Sequence, residues 1–117
     1  MKKIILALTQ VIALTSVTSA ADLLRYGAIC PVVDSSAMLL IEDPGQLTGE
    51  VVLRMTEAVN VAASPAWINS RSPAFTWASE TKVACGKAYG YLRTGYRDEE
   101  YINKCDCFYQ RMQQYMY

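Results

Sequence analysis

Cys105 and Cys107 stand one residue apart inside the most regular apolar pattern of the chain, and this spacing limits its folding more than any other feature. At 100° per residue, Tyr101, Ile102, Cys105, Phe108, Tyr109, Met112, Tyr115 and Met116 share an arc of about 140°, which predicts an amphipathic helix over 98–116. Asn103, Asp106, Gln110, Gln113 and Gln114 avoid that arc. Cys105 lies near its centre, whereas Cys107 faces about 200° away. Two cysteines so disposed cannot readily bond each other, so each needs a partner on another element.

Ser72-Pro73 has the form of a helix start, with serine as cap and proline in the first turn. The pattern that follows predicts a helix over 73–93, with Trp77, Ala78, Thr81, Ala84, Cys85, Ala88, Tyr89, Tyr91 and Leu92 on one side. Gly95 ends it and Asp98 caps the next, with Glu99 and Glu100 at the positive end of that helix. A loop of about four residues between two such helices predicts an antiparallel helical hairpin. Levelled about the loop centre, Cys85 falls beside position 106, between Cys105 and Cys107. Cys85 and Cys105 both lie on apolar faces, so Cys85–Cys105 is the favoured disulfide and Cys30–Cys107 the remainder. The other arrangement, Cys30–Cys105 with Cys85–Cys107, satisfies the levelling but suits the facing less well. Loop-closure entropy assigns about 3 kcal/mol to the shorter link and about 4.5 kcal/mol to the longer. Such sums approach the whole stability of a small domain.

A further amphipathic helix is predicted over 46–62, with Leu47, Val51, Val52, Met55, Ala58, Val59 and Ala62 inside about 140°. Glu50, Arg54, Glu57 and Asn60 lie outside that face. Residues 64–73 read as a connection carrying an apolar island, Trp67-Ile68, which is a plug over the core or a binding epitope. Ala37–Ile41 reads as a short helix before a Pro-Gly turn at Pro44-Gly45, and Asp22–Ile29 as a helical turn or two. The expected fold class is all-α: a small disulfide-braced helical domain over 21–117, ending in the hairpin.

Residues 1–20 have the layout of a bacterial-type secretory signal peptide. Lys2 and Lys3 precede a mostly apolar stretch, and Thr18-Ser19-Ala20-Ala21 offers small residues for cleavage after Ala20 or Ala21. The stretch is short and interrupted for a membrane span, which needs about 20 apolar residues. Cleavage would leave about 97 residues, with nine Lys+Arg against 11 Asp+Glu. All four cysteines follow the leader, and an even number of thiols in an oxidising compartment reads first as disulfides. The expected location is the periplasm or the extracellular space, with no membrane span in the mature form.

The chain has no histidine, which removes the commonest general base at neutral pH together with Ser-His and Cys-His nucleophile pairs. The precursor is balanced, with 11 basic and 11 acidic side chains, and has no basic stripe of the kind that nucleic-acid binding requires. Asp98-Glu99-Glu100 would be needed for a carboxylate-dependent hydrolase, but helix capping explains these acids. Four thiols lacking Cys-x-x-Cys knuckles are a weak metal pattern. The expectation is therefore no enzyme, no metal and no cofactor.

Seven of the eight tyrosines lie between Tyr89 and Tyr117. Tyrosine is frequent at binding hot spots, although most of these lie on faces expected to be buried. Lys104 and Arg111 flank the Tyr101-Phe108-Tyr115 stripe at a spacing suited to cation–π contacts. Trp67, Ile68, Tyr96 and Tyr117 are the candidate partner-binding residues. In format the chain resembles small bacterial periplasmic proteins, among them secretion-system immunity proteins and acid-stress chaperones. The likeness is of size, leader and cystine-braced helices, and it assigns no site. The function expected is binding of an unknown protein partner, of immunity, inhibitor or accessory type. The alternative is a thiol-based metal-binding or redox protein using Cys105 and Cys107.

Overall fold

A computed structural model describes Cys30 and residues 36–117. The leader expected over 1–20 and the helical turns expected over 22–29 lie outside these residues. A 3-10 turn at Ala37–Leu40 precedes α1 (Pro44–Ala63), the single-turn α2 (Pro65–Ile68), α3 (Ala74–Arg93) and α4 (Glu99–Met116). Helix dominates, and the described residues include no strand.

Helix α1 begins two residues earlier than its periodicity suggests. The Asp43 carboxylate accepts the Gln46 N–H at 2.7 Å, and Pro44 occupies the first turn, where its missing N–H costs nothing. Pro44-Gly45 is thus a helix start and not a turn. At α3, Pro73 directly precedes the helix and makes no side-chain cap bond, while the Ser72 hydroxyl accepts the Ala74 N–H at 3.4 Å, as the Ser-Pro start predicts. The same hydroxyl donates to the Tyr115 carbonyl at 2.7 Å, near the end of α4, where carbonyls lack intrahelical partners. Asp98 caps α4 as its sequence indicates, accepting the Tyr101 N–H at 3.1 Å.

The buried side chains of α3 are Ala74, Ala78, Thr81, Ala84, Cys85 and Ala88, all small. Small residues allow close helix approach, and α3 packs extensively against both α4 and α1. Trp77 meets Phe108 at 5.7 Å between ring centroids, Cys85 bonds Cys105, and Tyr91 meets Tyr101 at 6.0 Å. These pairs rise along α3 as they fall along α4.

The chain leaves α3 through a glycine-dependent cap. Gly95 has φ +79°, a left-handed value that is costly for residues with a Cβ. Its N–H donates to the Leu92 carbonyl, and the Tyr96 N–H donates to the Tyr91 carbonyl. This is the Schellman pattern, and the Tyr91–Tyr96 ring contact at 5.5 Å supplies its accompanying apolar contact.

Two faces differ from their wheels. On α1 the buried positions are Leu47, Val51, Ala58 and Val61, while Val59 is 42% exposed. The face is therefore rotated toward Arg54. On α4, Ile102, Cys105, Phe108 and Met112 are buried as the apolar arc requires, but Asn103 and Asp106 are buried as well. The 3-10 turn and α1 cover that polar side, so α4 is enclosed more widely than an amphipathic stripe implies.

Candidate interaction surface

The cysteines fix how the elements lie around α4. Cys85 on α3 is bonded to Cys105, with Cα atoms 4.5 Å apart. Cys30 is bonded to Cys107, with Cα atoms 5.8 Å apart. This is the arrangement favoured by levelling and facing. Cys85 and Cys105 are fully buried in a cluster with Met38, Leu47, Val51, Ala88 and Ile102. Cys30 packs with Ala84 and Phe108, on a different side of α4. Cys105 and Cys107 therefore hold separate elements and do not converge on one point. Among the described residues, no three His, Cys, Asp or Glu side chains are grouped to hold a metal ion.

Between the two cysteines, Asp106 gathers donors from three regions. The Ser36 hydroxyl donates to Oδ2 at 2.6 Å, Arg54 Nε to Oδ1 at 3.0 Å, and Gln110 Nε2 to Oδ2 at 3.1 Å. Arg54 also reaches Glu50, at 2.7 Å, and its guanidinium lies 5.2 Å from the Tyr109 ring centroid. Burial would lower the Arg54 pKa, but its bonds to Glu50 and Asp106 outweigh that cost and raise it, so its charge is secure. The Tyr109 hydroxyl donates to Glu57 and accepts from Gln113 Nε2 at 2.7 Å. Burial, reinforced by the Glu57 carboxylate, pushes the Tyr109 phenol up to about 12. A second polar clamp joins the α3–α4 connection to the 3-10 turn: the Arg97 guanidinium donates to the Leu39 and Ile41 carbonyls. The sequence reading missed both clusters, since it placed Arg54, Glu57 and Asp106 outside the apolar faces. The available signal was an acidic residue between two cysteines that must both be anchored inward.

The four candidate partner-binding residues do not form one patch. Trp67 packs into the cluster of Ala58, Val61, Ala78 and Met112, which also receives Met116. It is the plug over the core that the sequence offered as one option. Ile68 beside it is 49% exposed, and Tyr117, which follows Met116, is 97% exposed. Tyr96 lies in the α3–α4 connection, and its contact with Tyr91 belongs to the helix cap.

The acidic trio separates in a similar way. Asp98 caps α4, and Glu100 pairs with Lys104 at 2.6 Å. Of the expected cation–π contacts, Lys104 lies 5.4 Å from the Tyr101 ring centroid, whereas Arg111 donates to Gln114 at 3.1 Å. Lys87, which the sequence did not single out, lies 5.0 Å from the same Tyr101 centroid. The exposed surface thus carries a tyrosine row, Tyr96, Tyr91 and Tyr101, flanked by lysines. Leu53 and Val59 on α1 and Val83 on α3 are also exposed. No helix of the described residues is long and apolar enough to cross a membrane. The chain matches no family model, no curated protein and no solved structure.

Proposed function

We propose that this is an exported, non-enzymatic helical protein that binds another protein in the periplasm or outside the cell. The observation that carries this reading is that Cys105 and Cys107 are held in two cross-links to different elements. Such links persist in oxidising compartments, and they remove the thiolates that a metal or redox role for this pair would require. In this reading residues 1–20 supply the export signal, and α3 and α4 form an antiparallel hairpin. The cross-linked helical domain is a rigid display for exposed aromatic and aliphatic side chains, among them Tyr117 and Ile68, with immunity, inhibitor or accessory roles as its concrete forms. Rigidity favours binding because less side-chain and backbone freedom is lost on association.

The test is affinity capture from the native host with the oxidised, processed protein. The expected result is one partner retained in stoichiometric amount, with retention reduced at least fivefold by Ile68→Ala or Tyr117→Ala. Recovery of four alkylatable thiols in the exported protein, or turnover of a substrate with no partner retained, would overturn the proposal.

A further inference from the structure

Helix α3 carries two glycines, the half-buried Gly86 in its interior and the exposed Gly90 in its last turn, a residue type that weakens helices. Neither is required by close packing: a Cβ at either would meet nothing within 4 Å. Gly90 differs in what it leaves open. Together with Lys87, Tyr91, Thr94 and Tyr101 it lines an open surface groove of about 460 Å³. A side chain at position 90 would occupy that space.

Among the described residues, no carboxylate pairs with the one cation in the groove, Lys87. The three ion pairs among the described residues involve Arg54 twice and Lys104 once, and none involves Lys87. The Lys87 ammonium is 3.3 Å from the Tyr101 hydroxyl and 5.0 Å from that ring's centroid. Lys104 approaches the same ring but is already paired with Glu100. The Tyr91 and Tyr101 rings stack on each other, with centroids 6.0 Å apart and planes inclined by 28°, and together form one aromatic wall of the groove. The Thr94 hydroxyl donates to the Tyr91 carbonyl, so it adds no free donor in this arrangement. One positive point charge beside a flat aromatic wall complements one negative charge on an apolar body. A phosphate dianion would demand more donors than one lysine offers.

We propose that the Lys87–Gly90–Tyr91–Tyr101 groove binds a monocarboxylate with an aromatic or aliphatic body, Lys87 pairing with the carboxylate and the tyrosines covering the apolar part. Two sources share this chemistry: a free carboxylic acid, and an acidic side chain beside an apolar one on a partner. The assignment does not rest on the exported-binder reading, because the groove is tested with the purified protein alone.

The probe is 3-phenylpropionate, titrated into the oxidised full chain and followed by amide chemical shifts. A saturable Kd of about 1–4 mM is expected for a ligand of its size, with the largest shifts at 87–101. The neutral 3-phenylpropanamide and the variant Lys87→Gln should each weaken binding at least fivefold. Gly90→Leu should abolish binding while Gly86→Leu preserves it, both variants keeping the helical circular dichroism of the parent. Binding of N-acetyl-Phe-Glu-amide, but not its Gln counterpart, at similar affinity would identify a partner side chain as the occupant. Binding of the free acid alone would identify a small carboxylic acid. The proposal is overturned if no saturation appears by 20 mM, if acid and amide bind equally, or if Gly90→Leu binds as the parent does.

Discussion

At Asp106 a single carboxylate joins the segment before the 3-10 turn, α1 and α4, through Ser36, Arg54 and Gln110. The side chain is 5% exposed and that of Arg54 is 17% exposed, so replacing either leaves its partner in a poorly hydrated site. Asp106→Ala should lower stability by about 3 kcal/mol, measured by urea unfolding, and Ser36→Ala by about 1 kcal/mol. A loss under 0.5 kcal/mol for Asp106→Ala would show that the carboxylate does not organise these elements. Tyr109 gives a pH signature. Its folded pKa, about 12, exceeds the ordinary value of 10, so folding favours the neutral phenol. That contribution is complete below pH 10 and disappears as pH rises through about 12. Tyr109→Phe should reduce the slope of stability against pH across that window and remove the phenolate absorbance that develops near pH 12. Arg54 and Asp106 were not legible in the sequence as buried groups. A wheel that counts charge as exposure must misplace Arg54 and Asp106, because each is buried by virtue of the other.

Helix α4 is the element its own sequence describes best, since its apolar positions repeat cleanly and Asp98 caps it. Its polar side was not legible, because the cover comes from the 3-10 turn and α1, contributed from far away in the chain. Helix α1 shows the reverse: its valines suggest a wide apolar face, but tertiary packing selects Leu47, Val51, Ala58 and Val61 and leaves Val59 exposed. The end of α3 was legible from Gly95 alone, while the pairing of Tyr96 with Tyr91 required the cap geometry. Gly95→Ala should cost about 1 kcal/mol because it forces a Cβ into a left-handed residue. Gly86→Ala should do the opposite and stabilise α3 by about 1 kcal/mol, since its Cβ meets open space. Paired thermal unfolding curves would read both signs, and the same sign for both would contradict these backbone assignments.

For the molecule as a whole, the two disulfides divide the stabilisation by position. Cys85–Cys105 closes a separation of 20 residues within the central cluster, and Cys30–Cys107 closes 77 residues and ties an earlier segment onto α3 and α4. Chain entropy gives about 3 and about 4.5 kcal/mol as their ideal values, so full reduction should lower Tm sharply and expose apolar surface to a dye. The levelling of Cys85 against 105–107 was legible because two helices and a short connection fix the register. The cover that Cys30 makes over Ala84 and Phe108 was not, as no periodicity relates them. The cross-links that tie Cys105 and Cys107 to separate elements are central to the fold, and non-reducing peptide mapping of the protein isolated with its thiols blocked tests them most directly. The predicted result is one peptide pair linked through Cys30–Cys107, another through Cys85–Cys105, and no alkylated thiol before reduction. Free thiols at Cys105 and Cys107, or linkage of Cys30 to Cys105 with Cys85 to Cys107, would contradict it.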